Sequence, residues 1–254
     1  MVGYFSNIRI RGISTNDEQL EDVKTSTCCI NAAKKLINHL KWNVNDIKVM
    51  IVVTETSDFK FPSTAFYIQK HLELDMDCVV YDINLGATGY MVGIQLIAGL
   101  LQAFGENAKG LLLAGNMDKG SATAIQVEAE SLFLYNQRSY GEWYSNIFKY
   151  EKEDEVTVFI DEVVEKLTHS LSIVRSEVIQ ELTPSLVDNI DCYIDSRIGA
   201  EYISDMYSEF IPFEIIKKGV VKDKEIFSVL ATCASAGISV GCTYLEIDRG
   251  GILF

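Results

Sequence analysis

Three short apolar runs set the terms for any fold of this chain. Residues 47–54 (IKVMIVVT), 78–82 (CVVYD) and 110–114 (GLLLA) are almost continuous in β-branched and aliphatic side chains. A strand with one wet face alternates polar and apolar residues, so runs without alternation are predicted to be strands buried on both faces. Between them lie helical stretches at 26–40, 63–72 and 89–104, the first placing Cys29, Ala32, Ala33, Leu36, Ile37 and Leu40 on one face. Helices alternating with doubly buried strands imply a mainly parallel sheet covered on both sides. At 254 residues the chain is long enough to bury such a core.

The second half repeats the theme less regularly. Residues 121–128 alternate like a half-exposed strand, 132–150 are aromatic-rich without a clear period, and 151–155 (EKEDE) read as a charged turn. A long amphipathic helical stretch is predicted over 156–182, stopped near Pro184. Strands at 190–194, 225–233 and 239–247 and a helix at 200–207 complete the order. Strand–helix–strand units in both parts suggest an internal duplication, with halves at 1–130 and 131–254 forming one globular unit.

Charge and cysteine usage narrow the function classes. With 36 carboxylates against 22 Lys and Arg the net charge is −14, unfavourable for nucleic acid, an anionic membrane or another strongly acidic partner. The six cysteines show no Cys-x-x-Cys spacing, and the adjacent Cys28 and Cys29 suit reduced thiols, which with the lack of a signal-like segment predicts a cytoplasmic protein without a metal site. The most apolar stretch, 91–104, is interrupted by Gly93, Gln95, Gly99 and Gln102 and is too short to span a bilayer. Phosphate-loop, dinucleotide and Gly-x-Ser-x-Gly patterns are absent, so no cofactor is expected. His39, His71 and His169 each sit in a helical surface setting and read as structural. Asp75, Asp77 and Asp82 fit a solvated loop with a strand-end hydrogen bond as well as an acid–base pair.

One segment points to chemistry. Asp82-Ile83-Asn84-Leu85-Gly86-Ala87-Thr88-Gly89-Tyr90 leads from a buried strand into an apolar helix through a small-residue turn. Such a turn presents one side chain at a helix N-terminus, where the dipole favours an anion such as a thiolate. Gly86 and Gly89 would let backbone amides approach a carbonyl oxygen. The central residue, however, is Ala87, which cannot attack anything, and a tight turn kept small for packing explains the segment equally well.

Four segments in this order carry a resemblance: Phe61-Pro62-Ser63-Thr64-Ala65, the 82–90 turn, Gly120-Ser121-Ala122-Thr123-Ala124, and Ala236-Gly237-Ile238-Ser239-Val240-Gly241. Together they resemble β-ketoacyl-acyl-carrier-protein synthase III over roughly residues 26–130 and 186–254. The resemblance implies an α/β thiolase-like fold, two duplicated βαβαβ halves in a five-layered αβαβα sandwich, here truncated at the N-terminus because no opening strand and helix are evident before Thr25. It also implies acyl transfer from an acyl-CoA to a malonyl-carrier protein by a Cys, a His and an Asn. Carried over, the nucleophile position is Ala87, the His position is Ser196, and the Asn loop between Phe213 and Lys224 is shortened and holds no Asn. Gly86, Gly89 and Gly237 fall at substrate-binding positions, and the family's Arg-Thr-Gly motif is reduced to Ile10-Arg11-Gly12.

The implied reading is a non-catalytic, ketosynthase III-like subunit. It would pair through the 78–82 strand with an active synthase, or with itself, and shape an acyl pocket in fatty-acid-like or polyketide-like biosynthesis. The alternatives are an active acyltransferase whose Cys was replaced by Ala87, or a protein that binds an acyl chain or acyl-CoA near Phe59, Phe61, Tyr67 and Tyr90.

Overall fold

A computed structural model describes residues 1–16, 24–140, 148–152, 155–158, 161–195, 210–219, 224–235 and 239–253. In chain order the strands are β1 (Gly3–Phe5), β2 (Ile8–Asn16), β3 (Ile47–Val53), β4 (Val79–Ile83), β5 (Lys109–Asn116), β6 (Lys119–Val127), β7 (Phe133–Ser139), β8 (Phe148–Lys152), β9 (Glu155–Val158), β10 (Cys192–Asp195), β11 (Ile226–Ser235), β12 (Ser239–Asp248) and β13 (Ile252–Leu253). The helices are α1 (Thr25–Leu40), α2 (Thr64–His71), α3 (Gly89–Leu101), α4 (Asp161–Glu181), α5 (Pro184–Asp188) and α6 (Phe210–Gly219).

The three apolar runs become β3, β4 and β5, parallel neighbours with β3 in the middle. Their lack of alternation has the expected cause. Val49, Ile51, Val53, Leu112 and Ala114 face one core cluster, while Met50, Val52, Leu111 and Leu113 face another. The first cluster lies against α3 and α6, the second against α1 and α2. A third cluster packs α4 on β11 and β12. Five layers result: α1 and α2, the first half-sheet, α3 and α6, the second half-sheet, then α4.

The two half-sheets share a topology. In the first, β3 is parallel to β5, β5 antiparallel to β6, and β6 antiparallel to β2. In the second, β10 is parallel to β11, β11 antiparallel to β12, and β12 antiparallel to β7. A helix precedes the first parallel strand in each, α1 before β3 and α4 before β10.

The half-sheets meet where β12 runs beside β2, and the ladder there has one pair, Ile247 with Ile10. The chain then turns through a 3-10 segment, Arg249–Gly251, and continues along β2 as β13. A bulge between Ile10 and Gly12 shifts the phase of β2, so Ile8, Ile10 and Ile13 all reach the same core cluster. At that bulge the two backbones touch: a Cβ on Gly12 would lie 2.4 Å from the Gly251 carbonyl oxygen, and one on Gly251 would lie 2.0 Å from that of Arg11. Charged side chains flank the contact. Arg9 bonds Glu246 at 3.2 Å, Arg11 reaches Glu128 at 2.5 Å and Asp248 at 3.1 Å, and the Leu132 amide donates to Glu246.

Several expectations change here. Residues before Thr25 do supply a strand, and β2 lies inside the sheet between β12 and β6, not at a missing edge. The Ile10-Arg11-Gly12 segment serves this junction. Strand β6 is buried along most of its length instead of half exposed, because β2 and β5 flank it and α1 packs on it. The segment read as a shortened Asn loop is instead helix α6 over Phe210–Gly219, its Ile211, Ile215 and Ile216 in the central core. The helix expected at 200–207 lies outside the described residues, and the 151–155 turn falls in the β8–β9 hairpin.

Arg9 is only 6% exposed; its Nε makes no hydrogen bond but lies 4.0 Å from Asp248, and Glu246 is its hydrogen-bonded carboxylate. Replacing Glu246 with Gln is expected to cost about 2 kcal/mol, since it removes the nearer of the two carboxylates beside a buried cation. Asp248 behaves differently: desolvation raises its pKa, against the lowering by Arg11 and Arg9. A raised folded-state pKa means Asp248 contributes stability at low pH that is lost as pH rises through its folded value. Denaturant unfolding of Asp248→Asn against wild type should therefore show a wild-type advantage that shrinks with rising pH. A gap that widens with pH would contradict this.

The candidate turn and its surroundings

The turn begins where β4 ends. Asp82, near that end, accepts from the Thr64 amide at 2.6 Å and the Ala65 amide at 2.7 Å, satisfying the N-terminus of α2, whose own N-cap Ser63 makes no side-chain bond. Desolvation nevertheless raises the Asp82 pKa, with the two amides pulling the other way. The carboxylate is a strand-end cap, one of its two sequence readings, while Asp75 and Asp77 lie exposed on the turn before β4. Helix α1 is held similarly: Asp58 accepts from the Ser26 amide at 3.2 Å and from its hydroxyl, and Thr25 donates to the Thr56 carbonyl. Both helix N-termini thus sit at the carboxyl end of β3 and β4.

After β4 the chain makes a 3-10 turn, Gly86–Thr88, with Gly86 at φ +56°, a conformation that a side chain would strain. Helix α3 starts at Gly89, which a Cβ would push to 2.5 Å from Val53; packing alone therefore accounts for this glycine. Ala87 is 2% exposed and belongs to the central core. Above it lies Cys233 of β11, its thiol donating to the Ala87 carbonyl at 3.5 Å and contacting the Met91 sulfur at 3.6 Å. Burial pushes the Cys233 pKa up, the opposite of the lowering that marks a reactive thiolate.

Polar clamps fix the turn from two other strands. Thr88 donates to the Leu85 carbonyl at 2.9 Å, so in its 2.7 Å contact with Ser239 of β12 the serine is the donor. Tyr90, fully buried, bonds Thr123 of β6 at 2.9 Å. The turn is therefore held by both half-sheets at once. Beside it the described residues Thr88, Met91, Tyr135, Gln137 and Gly241 enclose a cavity of about 10 Å³, room for one water at most. A larger cavity of about 500 Å³ lies against the α4 face, lined by Arg175, Asp195 and Thr232, on the other side of β11 from Cys233.

Of the sequence-derived site residues, the structure brings Gly86, Ala87 and Gly89 together in this turn. Ser196 and Gly237 lie outside the described residues. His39 contacts the Gly250 carbonyl and His71 the Tyr67 carbonyl, while His169 is exposed on α4. Among the described residues no group of His, Cys, Asp and Glu is placed to hold a metal ion, and no helix is long and apolar enough to cross a membrane. Cys233 and Thr123 were not singled out as partners of the turn. Their signal was a polar or sulfur-bearing residue inside an otherwise buried strand.

No family model matches the chain. Curated relatives match over a third of it. β-Ketoacyl-[acyl-carrier-protein] synthase III of Neisseria gonorrhoeae is 35% identical over 83 residues, 33% of this chain and 26% of that protein. Synthase III 2 of Bacillus subtilis is 36% identical over 91 residues, 36% of this chain and 27% of that protein. The matched stretch thus spans about a quarter of the relatives' length and is homologous to it. Among solved structures, a 3-oxoacyl-(acyl-carrier protein) synthase from Burkholderia xenovorans superposes with a TM-score of 0.79 at 17% identity, covering 99% of this chain and 97% of that one. Synthase III of Xanthomonas oryzae gives 0.75 at 13% identity, covering 96% and 100%. The chain has the thiolase-like fold.

The hydroxyl pair that ties the turn to β12 offers a direct test. Thr88→Val should lose about 1–2 kcal/mol, because it leaves the Ser239 hydroxyl buried without a partner. Adding Ser239→Ala should recover part of that loss. A double-mutant cycle by denaturant unfolding reads the coupling, and additive losses would refute the pairing.

Proposed function

We propose that this thiolase-like chain is a non-catalytic relative of synthase III that pairs with a catalytic subunit and shapes its acyl pocket. The supporting observation is a contrast within one segment. The turn where the resemblance places a nucleophile holds Ala87 packed in the core, while the strand before it and the helix after it offer an unsatisfied surface. Strand β4 ends the sheet, pairing only with β3 among the described residues. Helix α3 contains no charged residue, yet Leu96 is 43% exposed and Gly99 is open to solvent. Tyr81 of β4 is 54% exposed, Phe61 is 90% exposed, and Phe66 and Leu85 are exposed as well. Exposed apolar side chains on the elements that flank a bare sheet edge favour an association site.

Charge supports the same reading. Carrier-protein docking calls for free basic residues, but Lys217 pairs with Glu214, Lys218 donates to the Tyr193 carbonyl, and Lys224 pairs with Asp191. Each of these three lysines of the 217–224 segment already has an acceptor within the chain. A subunit that does not receive carrier protein itself has no need of a docking patch.

The active-acyltransferase alternative draws on the preserved turn, with Gly86 at positive φ and position 87 at the start of a 13-residue helix. Ala87→Cys separates the two. Under the proposal the variant takes up no acyl group from acetyl-CoA or longer acyl-CoA esters, as read by intact mass; a stoichiometric acyl adduct would favour the enzyme. Pairing is tested by native mass spectrometry of the protein from its native source. A complex with a second, full-length synthase is expected, and a homodimer alone would overturn the subunit reading.

A further inference from the structure

Charge is shared unevenly between the layers of the molecule. From Lys24 to Asn45 and from Phe59 to Leu72 the sequence holds six lysines and no Asp or Glu, so the remainder of the chain stands at −20. These stretches contain α1 and α2, which lie side by side as the outer layer of the first half. The inward side of α1 is apolar, with Cys29, Ala33, Leu36 and Ile37 in the core cluster. Lys34, Lys35 and Lys41 stand exposed on its other side and at its end, and Lys70 is exposed on α2. Among the described residues these four lysines make no ion pair, whereas Lys109, Lys217, Lys224 and Arg138 each face a carboxylate. The acidic residues that flank the two helices do not cancel the patch. Asp46 pairs with Lys109, Asp58 is engaged by Ser26, and Glu73 stands beyond the end of α2. Asp17, Glu18, Glu21 and Asp22 lie outside the described residues and precede the N-terminal end of α1, from which Lys34 is about 14 Å away. Helix dipoles account for cations near a C-terminus, here Lys41 and Lys70, but Lys34 and Lys35 lie more than a turn before the end of α1.

Only charges within about 10 Å of a facing surface act strongly on it at ordinary ionic strength, so the total of −14 does not measure what a surface meeting this layer experiences. Nucleic acid calls for arginine forks or a groove with aromatic platforms, and α1 and α2 carry no arginine. Protein interfaces are depleted in lysine. A plane of anionic headgroups needs no pocket and no fixed geometry, and lysines, point charges on long flexible stems, suit it. We propose that the α1–α2 layer docks on an anionic lipid surface, held reversibly by Lys34, Lys35, Lys41 and Lys70. This layer covers the opposite side of the first half-sheet from α3, so attachment is separate from the pairing proposed above.

Co-sedimentation with vesicles tests the assignment, using phosphatidylcholine alone and an equal mixture of phosphatidylcholine and phosphatidylglycerol. Wild type is expected to bind only the mixed vesicles, and high salt should release it. Lys34→Gln, Lys35→Gln, Lys41→Gln and Lys70→Gln together should weaken that binding at least roughly tenfold. Four replacements elsewhere, Lys119→Gln, Lys149→Gln, Lys152→Gln and Lys166→Gln, change the net charge equally and should leave it within about twofold. Wild type that ignores the mixed vesicles, binds both kinds alike, or loses binding equally in the two variants would overturn the inference. So would retention on immobilised duplex DNA or polyglutamate without vesicle binding, which would assign the face to nucleic acid or to an acidic protein.

Discussion

The fold depends on a close approach between two glycines. Gly12 and Gly251 let the backbones of β2 and the final turn touch, between the one pair that joins β2 to β12 and the two that join it to β13. A side chain at either position would wedge the halves apart. The bulge at the same point rotates β2 so that Ile13 joins Ile8 and Ile10 in the central core. Because the backbone contributes so little bonding across this junction, the Arg9, Arg11, Glu128, Glu246 and Asp248 cluster and the shared apolar layer of α3 and α6 hold it.

The catalytic-looking turn is a product of that junction. It receives Cys233 and Ser239 from the second half and Thr123 from the first, so its shape is secured by packing, to which the Ala87 methyl adds, and by two hydroxyl contacts. A turn held from outside in this way keeps its shape whatever small residue stands at position 87, so the shape alone says nothing about the chemistry there.

How much of this was legible in the sequence follows from range. The doubly buried strands β3 and β5 and helices α1 and α3 declare themselves because their patterns are local and uninterrupted; β4 reads the same way but is an edge strand with Tyr81 exposed, a difference of position in the sheet that its own residues do not show. The turn was legible because small residues between a strand and a helix have few other uses. Strand β2 was missed: a bulge breaks the alternation of Ile8, Ile10 and Ile13, and two arginines in a buried strand make sense only beside carboxylates more than a hundred residues away. Helix α6 shows only in the apolar spacing of Ile211, Ile215 and Ile216, a signal shorter than three turns that the resemblance to a family loop overrides. The clamps on the turn are contacts between distant strands, which no local pattern records.

The charge-free outer side of α3 has a consequence for the life of the molecule before assembly. Most helices on a protein surface keep their own chain in solution. Here the exposed part of α3, Leu96 and Gly99, belongs to a helix without a charge and lies beside a strand edge that pairs on one side only among the described residues. Under the proposed pairing, solubility becomes a property of the complex more than of the polypeptide. Newly made copies in excess of their complement would be the ones that chaperones retain and proteases remove, and the cellular level of this chain would follow the supply of whatever covers that face.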